Sequence, residues 1–258
     1  MSRVIFIMLD GLRPDALTQA HTPTLDAFMQ RGASTLDARS VIPSITLPCH
    51  TSIFHSVTPA RHGIVENIWH PMARPVQGLV EHLKYHDKRS GFVHNWEPLR
   101  DLNRPENLHF SFYVDNAYQL DSDEIISEMG ARYATAFDFL FVYFGSIDIA
   151  GHFFGWMADE YLQQVETVDR LVAPVLEAAD AETTILIHAD HGGHERTHGT
   201  DLPEDMVIPW MIAGPGIKQQ YVIQQPVSLL DTAPTVAHLL GVPKHRDWEG
   251  AVVQEAFL

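Results

Sequence analysis

Cysteine is all but missing from this chain. Cys49 is the single one, so no intrachain disulfide can form and no cysteine-rich zinc module exists. Positive charge is also scarce: 17 Lys and Arg face 33 Asp and Glu, a formal net charge of −16. Proteins that grip phosphate backbones need a basic footprint, so a nucleic-acid polymer is not an expected partner, although nucleotides stay open as substrates. No apolar run approaches the length of a membrane span, and no membrane partner is expected. The amino terminus runs within three residues into the apolar stretch 4–9, which Asp10 interrupts too soon for a secretory signal. A cytoplasmic location is the resulting expectation.

What the chain does have is room for a core and a regular alternation of element types. Its 258 residues are 45% hydrophobic, and one domain with modest insertions is expected. Strand-like runs at 4–9, 91–94, 139–144, 184–188 and 207–213 alternate with helix-like stretches at 22–31, 48–56, 76–85, 121–133, 159–179 and 229–240. That alternation predicts an α/β three-layer sandwich with a mostly parallel central sheet, which binds ligands at the carboxyl ends of its strands. Residues 96–119 break the pattern. They are rich in aromatics and read either as a small cap or lid beside the site or as a satellite hydrophobic cluster under a long loop.

Three acids stand just beyond strand-like runs. Asp10 follows 4–9, Asp148 follows 139–144, and Asp190 follows 184–188. Asp148 and His152 are four apart and share a face if that stretch is helical, with Gly151 and Gly155 available for a tight turn. Asp190 and His191 would point to opposite sides of a strand, so they converge only if Gly192-Gly193 ends it. Carboxylates and imidazoles delivered to one sheet edge suit a pair of zinc or manganese ions. Spacing alone does not choose between His194 and His198 for the last ligand position; His188, inside its strand, reads as a core or supporting residue. In Pro43-Ser44-Ile45-Thr46-Leu47-Pro48, a hydroxyl at a helix amino terminus would gain from the helix dipole. Thr46 is the candidate nucleophile, with Ser44 and Thr51 as alternatives; a plain N-cap is the ordinary role for such a threonine.

These segments occur as an ordered set: Leu-Asp10-Gly-Leu-Arg-Pro-Asp, Pro-Ser-Ile-Thr46-Leu-Pro-Cys-His, His62-Gly-Ile-Val-Glu-Asn67, Asp148-Ile-Ala-Gly-His152, Ala-Asp190-His191-Gly-Gly, Thr-His198-Gly and Leu-Asp231-Thr-Ala-Pro-Thr. In that order the chain resembles the alkaline phosphatase superfamily, in particular its nucleotide pyrophosphatase/phosphodiesterase (type I phosphodiesterase) branch. The resemblance covers residues 4 to about 243. It implies an alkaline phosphatase-like fold and two divalent cations, zinc before manganese. Asp148, His152 and His198 would hold one; Asp10, Thr46, Asp190 and His191 would hold the other. Thr46 would attack phosphorus in line, giving a phospho-threonine intermediate whose hydrolysis completes net retention. Asn67 would hydrogen-bond a non-bridging phosphoryl oxygen. His198 is preferred to His194 because a His-Gly followed shortly by Ile208-Pro209 matches the family's last ligand.

A small phosphate ester is the implied substrate, and a phosphodiester or nucleotide-like one is favoured by Thr46 and Asn67. The alternatives are a phosphomonoesterase or phosphonoacetate hydrolase of the same superfamily, and a non-catalytic metal-binding module. A sulfatase would need Cys or Ser in a Cys-x-Pro-x-Arg context, which Cys49-His-Thr-Ser lacks. A monoesterase would place extra positive charge on the phosphoryl group; Arg13, Arg61, Arg74 and Arg100 are the candidates, with Arg13 expected to pair with Asp15 or a loop carbonyl. The sequence leaves the oligomeric state open.

Overall fold

Residues 2–102 and 106–258 are described by a computed structural model. Eight strands form one mixed sheet in the order β4-β3-β5-β1-β6-β7-β2-β8. They are β1 (Arg3–Leu9), β2 (Ala33–Arg39), β3 (Ser90–His94), β4 (Phe110–Tyr113), β5 (Phe139–Phe144), β6 (Thr183–His188), β7 (Val207–Ala213) and β8 (Tyr221–Val222). From β4 to β6 all neighbours run parallel, while β7 is antiparallel to both β6 and β2. The strands β5 and β6 are buried along their whole length, as expected when helices cover both faces, and β5 is one continuous run of apolar and aromatic residues.

Those helices make the outer two layers. On one face Phe54, from the helix Thr46–His55, packs into an aromatic cluster with Phe6, Phe92 and Phe141; its ring meets that of Phe141 at 5.1 Å, edge to face. On the other face Gly130 of the helix Asp123–Tyr133 lies against Val142 of β5 and Val175 of the long helix Asp159–Ala178. Phe141 and Val142 are adjacent and point to opposite layers, the two-residue period of a strand.

The central strand β1 sets the position of everything functional. It lies between β5 and β6, pairing Leu9 with Phe144 and Met8 with His188, so three carboxyl ends finish level. Asp10 continues that ladder for one more step, its N–H donating to Phe144 O at 3.0 Å.

Several local expectations shift. The helix expected at 48–56 begins two residues earlier, at Thr46, which puts Pro48 at its third position, where no intrahelical N–H bond is lost. Gly151 makes no turn: it sits inside the helix Ser146–Phe154, where a Cβ would lie 2.5 Å from the Trp156 indole, so a glycine is what lets that ring pack. Gly155, at φ +105°, ends the helix. The stretch 229–240 divides into a 3-10 turn, Leu229–Asp231, and the helix Thr232–Leu239, with a Ser228/Asp231 capping box at the start. Within 96–119, Phe110–Tyr113 is β4, the edge strand of the sheet, and Glu97–Leu102 is a 3-10 turn; 103–105 lie outside the described residues.

Candidate active site

Each acid is held in place by the segment that succeeds its strand. Gly11, at φ +72°, carries the chain from Asp10 so close to the next element that a Cβ would sit 2.9 Å from Asp148 Cα. Asp148 lies in the first turn of the helix Ser146–Phe154. That helix start is tied down by Asp123, fully buried, which accepts from Gly145 N (3.1 Å), Ser146 N (3.0 Å) and Ser146 Oγ (2.6 Å). Asp190 accepts from its neighbour His191 N at 3.0 Å and from Gly11 N at 3.3 Å, both through Oδ1. Thus one oxygen of Asp190 is anchored and the other is free to turn inward.

The same division recurs at the other acids. Asp10 Oδ2 accepts from the Tyr143 hydroxyl, while Asp10 Oδ1, Asp148 Oδ1 and Asp190 Oδ2 are buried with no hydrogen-bond partner. The imidazoles follow a complementary rule. His152 donates Nδ1–H to Arg196 O (3.0 Å), His191 to Gly192 O (2.8 Å) and His198 to Ser44 O (2.8 Å). With Nδ1–H given to a carbonyl, all three turn Nε2 toward the acids. His152 Nε2 is 3.4 Å from Asp148 Oδ2 and His198 Nε2 is 3.7 Å from Asp148 Oδ1. His191 Nε2 lies 3.3 Å from Asp10 Oδ1 and 3.4 Å from Asp190 Oδ2.

Two ligand triads result, Asp148/His152/His198 and Asp10/Asp190/His191, each with its donor atoms within 4.8 Å of one another. Burial first, then repulsion from Asp190, holds Asp10 and Asp148 well above the usual carboxylate range; burial likewise raises Asp190. Burial also lowers His191 to about 4 and His198 to about 3, so both are neutral. Three buried carboxylates with unpartnered oxygens, and neutral imidazoles beside them, form a donor set matched to divalent cations.

Thr46 Oγ1 lies 3.2 Å from His191 Nε2 at the amino end of its helix, nearly buried. Its carbonyl accepts from His50 Nδ1–H at 2.8 Å, with His50 itself buried against Tyr143. Asn67 is exposed and its Oδ1 accepts from Leu47 N, next in the chain to Thr46, at 2.9 Å. Of the alternative hydroxyls, Ser44 donates to Thr200 O and Thr51 to Leu47 O. His194 pairs with Asp205 at 2.7 Å and stands outside both triads. His188 is a core residue, donating to Ala189 O and meeting Thr232 Oγ1 at 2.9 Å. Tyr143, His50 and Asp123 were not anticipated. Tyr143 carried the one usable signal, a hydroxyl in an otherwise apolar strand five residues before Asp148.

The sequence pattern of the family "Type I phosphodiesterase / nucleotide pyrophosphatase" matches residues 4–204. The chain belongs to that family. It is 26% identical over 220 residues to an uncharacterized pyrophosphatase/phosphodiesterase of Schizosaccharomyces pombe, covering 74% of this chain and 44% of that protein. Ectonucleotide pyrophosphatase/phosphodiesterase family member 1 of Mus musculus is 22% identical over 219 residues, 73% of this chain and 24% of its own. This chain therefore spans less than half the length of these relatives. Among solved structures, murine ectonucleotide pyrophosphatase/phosphodiesterase 5, as an inactive variant in complex with AMP, superposes with a TM-score of 0.85 at 15% identity over 100% of both chains. A 2-O glycosaminoglycan sulfatase, BT1596, gives 0.78 at 16% identity, covering 99% of this chain and 74% of its own. These likenesses establish the alkaline phosphatase-like fold of this family member.

Proposed function

We propose that this domain hydrolyses small phosphodiesters, nucleotide-like ones foremost, through a phospho-threonine intermediate, with zinc, or else manganese, at both triads. The observation that carries this reading is the convergence of Thr46 Oγ1 and both triads at one sheet edge. Asp148, His152 and His198 would hold one cation; Asp10, Asp190, His191 and Thr46 the other. Cations held there would offset the carboxylate charge, make the Thr46 hydroxyl more acidic and supply positive charge for a departing oxygen.

The chain's own groups supply the rest. Thr46 Oγ1 forms the new bond to phosphorus as the bond to the leaving oxygen breaks, which releases an alcohol or nucleotide fragment. Water then attacks from the vacated side, the phosphorus–Thr46 bond breaks, and two inversions leave net retention. Asn67, oriented by Leu47 N–H, donates its amide to a non-bridging oxygen, while the helix amino terminus favours the added negative charge.

A diester is favoured over a monoester by the state of the arginines. Three of the four candidate arginines are engaged: Arg13 is bound to Asp15 and Gly193 O, Arg61 faces Glu249 at 3.7 Å and Arg100 is paired with Glu97, while Arg74 is exposed with no acidic partner among the described residues. A singly charged phosphoryl group needs no further cation, whereas a dianion would. The residues 1–258 are taken as one catalytic domain with 96–119 as its small cap; of the described part of that segment, Trp96 stacks on Tyr143, centroids 6.5 Å apart.

The test is hydrolysis of bis-p-nitrophenyl phosphate and p-nitrophenyl phosphate by metal-stripped protein refilled with zinc or manganese, beside Thr46→Ala. Metal-dependent turnover that prefers the diester and vanishes in the variant is expected. Preference for the monoester would make it a phosphatase of the same fold. Full activity in Thr46→Ala would remove the threonine mechanism.

A further inference from the structure

A cavity of about 370 Å³ opens between the loop 69–78, the helix Leu79–Tyr85 and the turn Glu97–Leu102. That volume is within the range of small-molecule sites. His55, which lines it, ends the helix that Thr46 begins. Nine residues of helix separate the two by about 13 Å, so the cavity is not the reacting centre.

Its wall is apolar over much of its extent, through Trp69, Met72, Val76 and Leu102, and its two charged side chains, Glu81 and Asp101, are both acidic. Among the described residues no Lys or Arg lines it. Arg100, adjacent to Asp101 in the chain, is bound to Glu97 at 2.5 Å and stands 3.8 Å from Asp101. Burial holds Asp101 above the usual carboxylate range despite that neighbour. His55 adds an independent feature. Its side chain is 7% exposed and donates Nδ1–H to Thr51 O at 3.1 Å. Nε2 is therefore an unprotonated acceptor, and a Cβ on Gly78, another residue of the wall, would meet it at 3.0 Å.

The polar side chains of the wall are thus two carboxylates, one imidazole lone pair and the Asn107 amide, so acceptors and negative charge predominate in an apolar chamber with an indole. A ligand that satisfies them must bring donors and positive charge on an apolar body. We propose that this cavity is a second binding site of the domain, for an organic ammonium ion. The ammonium donates to Glu81, Asp101 and His55 Nε2, while its hydrocarbon part lies against Trp69 and Val76.

The probe is 2-phenylethylammonium, titrated calorimetrically into the full chain, with neutral 2-phenylethanol as its uncharged counterpart. Saturating inorganic phosphate is added in a parallel run to occupy the catalytic centre. The expected result is binding of the ammonium but not the alcohol, unchanged by phosphate and weakened about tenfold or more in Glu81→Gln and in Asp101→Asn. Melting of both variants is recorded to show that they fold. Equal affinity for the alcohol, displacement by phosphate, undiminished binding in both folded variants, or no binding up to about 10 mM would each overturn the proposal.

Discussion

The imidazoles of His191 and His198 lie face to face, their centroids 3.8 Å apart and their planes 12° from parallel. Each belongs to a different triad, so this stack is what turns two ligand sets into one centre. Burial keeps both rings neutral, and for His198 the neighbouring His191 adds to that effect.

Cation loading should release protons. Asp10 and Asp148 are held well above the ordinary carboxylate range by burial and by Asp190, and a cation reverses that balance. Zinc titrations of the stripped protein in two buffers of different ionisation enthalpy are expected to show release of about one proton or more per chain. Asp148→Asn should reduce the release, and chelation should lower the melting temperature of the wild type.

Tyr143 should act through Asp10. Its hydroxyl occupies Asp10 Oδ2 and leaves Oδ1 as the oxygen that faces His191. Removing such a supporting hydrogen bond costs about ten- to hundredfold in metal affinity. Tyr143→Phe is expected to bind zinc that much more weakly with its circular dichroism unchanged. Undiminished affinity would reduce Tyr143 to a packing residue.

Asn67→Ala should lower kcat by roughly a hundredfold with little change in KM, as for loss of one donor to a developing oxyanion. Leu47 N–H loses its acceptor in the same variant, so Asn67→Gln serves as the comparison. A change confined to KM would argue that Asn67 only binds substrate.

Acid should destabilise the fold through His55 and His62. Burial lowers both to about 4 from 6.5, and His62 Nδ1 accepts from Ile64 N at 3.0 Å while Nε2–H meets Ser52 Oγ at 3.0 Å. The unfolded chain takes up these protons first, so their contribution is complete above about pH 6.5 and is lost as pH falls toward 4. Urea unfolding at pH 7 and pH 5 should differ by on the order of 1 kcal/mol for each histidine. His62→Gln should flatten that dependence, and an unchanged slope would show that His62 is not buried neutral.

Much of the centre was legible because local rules carry it. Asp10, Asp148 and Asp190 each follow a buried strand within four residues, and Asp148 and His152 share a face through their four-residue spacing once the helix forms. The helix Asp159–Ala178 and the strands β5 and β7 lie where periodicity placed them, to within a residue. The strand β2 was not visible in advance. Its sequence, Ala-Ser-Thr-Leu-Asp-Ala-Arg, has little apolar content and a bulge between Thr35 and Ala38, and it is a strand because β7 and β8 flank it. The choice between His194 and His198 was open for a similar reason. Spacing does not report partners, and it is Asp205 for the one and Ser44 O for the other that separate them.

The sequence by itself determined which residue types stand at the mouths of the strands, since a strand's period and a helix's repeat are written in neighbouring residues. Only the tertiary structure decided that β1 runs between β5 and β6 with their carboxyl ends level, which brings Asp10 beside groups more than 130 residues away. It also decided which carbonyl each imidazole faces, and so which nitrogen points inward. Both depend on contacts between segments remote in the chain, where register and burial set the distances and no local pattern can.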